Sequence, residues 1–174
     1  MLHEVDRDEF VARYSAIERE WVHMELRDFY GVPGDFEAFA QWRRGEPVDN
    51  SYLDDWHALV SRLSGEGKSL RRIKVVCEPL GEYHRFSYET IDDIVRAGEP
   101  TRWCGRDKLT ALRLPATDFY VLDQRTAMFL HYDGQGVVSK RLVTEDPELV
   151  RFCRAVFEDV WPLATDHHDY RPRI

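Results

Sequence analysis

Phe10, Val11, Tyr14, Ile17 and Trp21 recur at spacings of one, three and four, the apolar stripe of an amphipathic helix that opens near Asp6 or Asp8. The period then drops to two. Val22, Met24 and Leu26 alternate with His23, Glu25 and Arg27, as a half-buried strand requires. Gly31-Val32-Pro33-Gly34 reads as a turn, after which Pro33 and Asp35 start a short helix carrying Phe36, Phe39 and Trp42, stopped by Gly45. A further helix over Tyr52 to Leu63 presents Leu53, Trp56, Leu59, Val60 and Leu63 on one face, and Gly65 and Gly67 close it.

Leu70 to Cys77 is a β-branched strand in which Ile73, Val75 and Cys77 face one way and Arg72, Lys74 and Val76 the other. Glu78-Pro79 ends it. Residues from about Glu82 to Ala97 carry a less regular helical pattern, with a break near Tyr88 and Gly98 as C-cap. Extended stretches follow at Thr101 to Cys104, Asp118 to Leu122, Thr126 to Tyr132 and Val137 to Thr144, with turns at Asp123-Gln124-Arg125 and Asp133-Gly134-Gln135-Gly136. Asp146-Pro147-Glu148 opens a last helix through N-cap, N1 proline and an acid at the positive end of the dipole, with the stripe Leu149, Val150, Cys153, Val156, Phe157, Val160 and Trp161. The order predicts an α/β or α+β fold, a single central mixed sheet covered by helices, with a loose polar tail from about Thr165 to Ile174.

Composition narrows the reading. With 174 residues, 43% apolar and 13% aromatic, one domain with one core is the economical expectation. No apolar run approaches the roughly 18 residues that span a bilayer, and Met1-Leu2-His3-Glu4-Val5-Asp6 has acids where a secretory leader has basic residues, so a cytoplasmic protein is expected. A net charge of −8, from 32 acidic and 24 basic residues, disfavours direct nucleic-acid binding. Cys77, Cys104 and Cys153 form no C-x-x-C pair and read as reduced, inert thiols.

Catalytic patterns are absent from the sequence. It holds no G-x-S-x-G elbow, no G-x-G-x-x-G and no G-x-x-x-x-G-K-[ST]. His167-His168-Asp169 is the densest metal-ligating group, but adjacent helical residues point about 100° apart, so no metal or other cofactor is expected. Binding chemistry is better placed. Glu78, Tyr83 and Arg85 follow the end of the Leu70 to Cys77 strand, with Arg72 within it, at the edge where open sheets commonly hold ligands. Trp103 at the end of the next extended stretch offers an aromatic wall, and Asp118, Asp123 and His131 are candidates for the same edge. The plainer alternative pairs Glu78 with Arg85 and puts Trp103 in the core.

A series of short signatures runs over residues 69–161: Arg71-Arg72-Ile73-Lys74-Val75-Val76 closed by Glu78-Pro79, Tyr83-x-Arg85-Phe86, Ala97-Gly98-Glu99, Asp118-Phe119, Tyr132-Asp133-x-x-Gly136 and Phe157-x-x-x-Trp161. In this order they resemble an uncharacterised actinobacterial family encoded beside helix-turn-helix regulators and small companion proteins. The resemblance implies a regulatory context rather than a reaction. A more distant likeness, carried by a basic parallel strand after a helix and glycine, a strand ending at Asp123, a hairpin and a final Phe157-Glu158-x-x-Trp161 helix, is to the phospholipase D superfamily. It implies a phospholipase D-like half-domain.

Catalytic members of that superfamily carry H-x-K-x-x-x-x-D, whose histidine attacks phosphorus while the lysine neutralises charge. Setting Asp123 on the motif's aspartate puts Ala116 at the histidine position and Asp118 at the lysine position, so both reactive groups are missing. The expected function is therefore a non-enzymatic regulatory module that binds a small-molecule effector, a helix-turn-helix partner or companion, or a second copy of the chain. Two alternatives stay open: a small hydrolase or transferase using Asp118, Asp123 and His131, and an antitoxin-like acidic protein that neutralises a basic partner.

Overall fold

The period-two segments pair into one sheet. The computed structural model describes residues 1–32 and 34–173. Its strands are His3–Glu4 (β1), Glu20–Glu25 (β2), Ser69–Val76 (β3), Thr101–Gly105 (β4), Asp118–Leu122 (β5), Thr126–Tyr132 (β6), Val138–Thr144 (β7) and Thr165–Asp166 (β8), in the spatial order β1-β7-β6-β5-β2-β3-β4-β8. β2, β3 and β4 are parallel, while the other neighbours run antiparallel, so the sheet is mixed and the architecture α+β. The helices are Arg7–Ser15 (α1), Phe36–Arg44 (α2), Asp54–Gly65 (α3), Glu82–Thr90 (α4), Asp92–Ala97 (α5) and Pro147–Val160 (α6). Among the described residues no helix is long and apolar enough to cross a membrane.

Alternation along the central strands sends two sets of side chains to two covered faces. Val22 and Met24 of β2, Ile73 and Val75 of β3, and Phe119 and Val121 of β5 pack under the α6 stripe of Val150, Cys153, Val156, Phe157 and Val160. On the other face Trp21, Leu70, Tyr120 and Met128 meet Phe10 of α1, Val60 and Leu63 of α3 and Ile94 of α5. Each large apolar chain so enclosed contributes about 1.5–3 kcal/mol relative to exposure. The α6 start is capped as the sequence requires, Asp146 accepting from the N–H groups of Glu148 and Leu149.

Several expectations need correction. Trp21 belongs to β2 rather than to the first helix, which ends at Ser15. The pattern from Glu82 to Ala97 divides at Ile91 into α4 and α5. β3 stops at Val76, and Cys77, expected as the last residue of the strand, lies beyond it and is exposed. The segment expected as a loose tail is packed: β8 pairs with β4, and His167 and Tyr170 are buried. Its polar residues find partners there, which is why polarity alone misled. Pro33, expected to start α2, and Ile174 lie outside the described residues.

Candidate functional site

The polar halves of the central strands meet under the helices. The parallel register of β2 and β3 sets His23 beside Arg72 and Glu25 beside Lys74, and the antiparallel register of β5 sets Tyr120 beside His23. Paired residues share a face, so these side chains form a polar floor. α3 and α4 roof it, contributing Trp56, Tyr83, Phe86, Ser87 and Thr90, and Tyr30, Val32 and Asp35 close one side. Tyr30 and Val32 are held there by a close approach of Gly31 to the β6–β7 hairpin, with Gly31 N–H donating to Gly136 O at 2.9 Å and no room for a side chain at either glycine. The result is a cavity of about 340 Å³ bounded by His23, Glu25, Asp35, Arg72, Lys74 and Asp118 and by aromatic rings.

The charges of the floor are desolvated and networked. Glu25 pairs with Lys74 and, at 3.1 Å, with Arg72. Arg72 also reaches Glu99 at 2.8 Å, and the fully buried Glu99 accepts from the Trp21 and Trp56 indoles at 3.1 and 3.0 Å. Gly98, at φ +121°, ends α5 and turns the chain so that Glu99 enters the interior. Burial favours the neutral form of Glu25, but Lys74 and Arg72 outweigh it and hold the carboxyl well below its ordinary range. Asp118 differs. Burial pushes it up to about 6, although it accepts from the Tyr30 and Tyr132 hydroxyls and the Leu26 N–H. Burial also keeps His23 neutral, stacked 3.8 Å from the Tyr120 ring.

Three groups on the cavity wall have unused hydrogen-bonding capacity: His23, Asp35 and the Arg72 Nε–H, which is buried with no partner among the described residues. Neither ring nitrogen of His23 has a hydrogen-bond partner among the described residues, nor has Asp35 Oδ1, although Asp35 Oδ2 accepts from the Tyr83 hydroxyl at 2.9 Å. His23 and Asp35 are at least 95% buried, with exposures of 5% and 4%. Buried polar groups are nearly always paired, so such orphans mark a place where something else supplies the partner.

Of the residues singled out from sequence, Arg72, Tyr83 and Asp118 line this cavity. The others lie elsewhere. Glu78 accepts from the Tyr170 hydroxyl and pairs with Arg173 at 3.1 Å, not with Arg85. The Arg85 guanidinium lies 5.8 Å from the Trp42 ring centre. Trp103 is fully buried and donates to His167 Nδ1 at 3.1 Å, so it fills core rather than walls a site. Asp123 sits at the far end of β5 and accepts from the N–H groups of Glu18, Arg19 and Glu20. His131 neighbours Leu130, the residue paired with Asp118, and so faces the opposite side of the sheet. Asp118, Asp123 and His131 therefore do not converge. His23, Asp35, Lys74 and Glu25 were missed as site residues, although the opposed charges at matching positions of two neighbouring strands were a usable signal.

A second buried histidine makes a pH prediction. His84 is 1% exposed, has no hydrogen-bond partner among the described residues, and is pushed down to about 4, first by burial and then by Lys74. The native state thus refuses a proton that the unfolded chain takes up near pH 6.5, so stability is full above 6.5 and is lost as pH falls toward 4. Urea midpoints measured at pH 7 and 5.5 should show the wild type losing roughly 1 kcal/mol more than His84→Leu. Equal losses in the two proteins would remove His84 as the cause.

No curated protein matches the sequence. Among solved structures the chain is similar to Nuc from Salmonella typhimurium, a phospholipase D family member, at 12% identity and a TM-score of 0.60 over 98% of each chain. It is also similar to NucT from Helicobacter pylori, at 8% identity and a TM-score of 0.53 over 95% of this chain and 97% of that one. These likenesses show a phospholipase D-like fold. The model of the family described as "Domain of unknown function (DUF6879)" matches residues 8–172, nearly the whole chain, and the protein belongs to that family.

Proposed function

We propose that the protein is a non-enzymatic binding module that holds a small-molecule effector in the cavity under α3 and α4, within a bacterial transcription-regulatory system. The observation that carries the reading is the set of buried, unpartnered groups on the cavity wall, on His23, Asp35 and Arg72. The missing chemistry agrees with it. With Asp123 set on the motif's aspartate, Ala116 and Asp118 fall where the phospholipase D motif has its histidine and lysine, and an aspartate there repels a phosphate rather than neutralising it. The regulatory setting rests on the sequence resemblance alone, and a helix-turn-helix protein is the partner it suggests.

Solvent extraction of the purified protein, with mass spectrometry of what is released, is expected to give a small molecule from the wild type. It should be absent from Ser87→Phe and Leu130→Trp, each of which places a ring in the cavity. Near-UV circular dichroism checks that the variants are folded. Bis(p-nitrophenyl) phosphate should be hydrolysed no faster than in buffer. Turnover abolished by Asp118→Asn would overturn the non-enzymatic reading, and an empty wild-type protein would overturn the effector.

A further inference from the structure

The charges bordering the cavity do not cancel, and the imbalance selects a class of ligand. Among the described residues Arg72 and Lys74 are its lining cations, and the charge of each is already paired, Arg72 with Glu25 and Glu99 through its two terminal nitrogens and Lys74 with Glu25, while the Arg72 Nε–H stays without a partner. Two carboxylates answer two cations. Asp35 and Asp118 remain, and the groups that bond them are neutral: the Tyr83 hydroxyl for Asp35, and two tyrosine hydroxyls and a backbone N–H for Asp118. Both oxygens of Asp118 have donors, whereas Asp35 keeps one buried oxygen with none. Aromatic rings make up much of the rest of the wall, with Tyr30, Tyr52, Trp56, Tyr83, Phe86 and Tyr120 around the space beside aliphatic and hydroxyl side chains.

We infer that the cavity takes an organic cation, an amine or amidine on an apolar or aromatic body, with its charged nitrogen donating to Asp35. The inference rests on the effector reading above and names its ligand class. A protonated nitrogen supplies the donor that Asp35 lacks and makes a charge-assisted bond. The ring faces attract the same charge once water is excluded. An anion such as a phosphate ester meets the opposite situation: it could take the Arg72 Nε–H, but the charges of Arg72 and Lys74 are already balanced by Glu25 and Glu99, and the carboxylates of Asp35 and Asp118 put a surplus of negative charge around it.

The test is calorimetric titration of the full chain with tyramine, phenethylamine, benzamidine and agmatine, against uncharged 4-propylphenol and against inorganic phosphate and AMP. At least one cation is expected to bind saturably, more tightly than 4-propylphenol. Asp35→Asn should weaken it about tenfold or more while leaving 4-propylphenol within about twofold. Ser87→Phe should abolish binding of the cation. Phosphate and AMP should give no heat. Absence of binding by every cation, or cation binding indifferent to Asp35→Asn, overturns the inference. Binding of phosphate or AMP that Ser87→Phe blocks also overturns it, yet leaves the effector reading standing, whereas that reading falls on its own if the extracted wild-type protein is empty.

Discussion

Arg72→Met is expected to remove about 3–5 kcal/mol of folding stability, the scale for breaking a buried ion pair from one side. Arg72 carries two carboxylates at once, with its side chain 12% exposed and those of Glu25 and Glu99 at 9% and 0%. Methionine keeps most of the volume over the Trp56 ring, where the guanidinium now lies 5.4 Å from the centre, so the loss reports charge rather than packing. Glu25 retains Lys74. Glu99 is left with two indole donors and no cation, in a site with no water-exposed surface. Burial already raises the Glu99 pKa with Arg72 in place, so in the variant the carboxyl takes a proton more readily still, and the cost should be larger at pH 8 than at pH 5. Adding Glu99→Gln should recover part of the loss at pH 8, because the orphaned charge goes with it. Exposed pairs such as Arg13–Glu9 are worth about 0–1 kcal/mol, and an Arg72→Met loss in that range at pH 7, measured by urea denaturation, would mean that the network is hydrated.

Arg72 also shows where sequence reading reaches and where it stops. The alternation Arg72, Lys74 against Ile73, Val75 was legible and assigned the two faces of β3 correctly. On its own it makes the charged face look solvent-exposed, because period-two patterning states which residues share a face and not what covers it. Coverage comes from α3 and α4, which sit at other places in the chain, and nothing local encodes that contact. The same limit hid His23 and Glu25, which alternate with Val22 and Met24. Glu99 was visible only as part of the Ala97-Gly98-Glu99 signature, with no sign of its burial. β1 and β8 have two residues each, too few for any period to register. The crevice expected beyond the β3 end, at Glu78, Tyr83 and Arg85, follows the general rule for open sheets. The chain's own C-terminal segment instead takes up Glu78, through Tyr170 and Arg173. Only Tyr83 of that trio turns toward the cavity.

That C-terminal segment carries the second large prediction: Trp103→Ala is expected to cost about 3–5 kcal/mol, as truncations of fully buried aromatics do, and to release residues 165–173 from the sheet. Trp103 is the common support of this region. Its indole is stacked on Tyr170, with ring centres 5.4 Å apart and planes 1° from parallel, and meets the edges of His84 and Tyr88 at 5.9 and 5.7 Å. Its Nε1–H donates to His167 Nδ1, so alanine removes the partner of a buried imidazole as well as leaving a cavity. The other anchors of the segment are the two-residue β8 pairing, the bonds from His167 N–H to Thr101 O at 3.0 Å, from Leu80 N–H to Arg173 O at 2.9 Å and from the Tyr88 hydroxyl to Tyr170 O at 3.0 Å, the contact of His168 with Asp92 at 2.8 Å, and the bonds of Tyr170 and Arg173 to Glu78. For a chain of this size the loss corresponds to a melting temperature lower by roughly 2–4 °C per kcal/mol. Hydrogen exchange locates the effect: the amides of His167 and Tyr170, both bonded to backbone carbonyls, should be protected in the wild type and exchange far faster in the variant under conditions where the α6 amides stay protected. Trp103→Phe keeps the stack but not the N–H donor, and should fall between the two. If Trp103→Ala leaves the His167 and Tyr170 amides as protected as before, the segment is held by its own turn and strand contacts, and the tryptophan serves β4 alone.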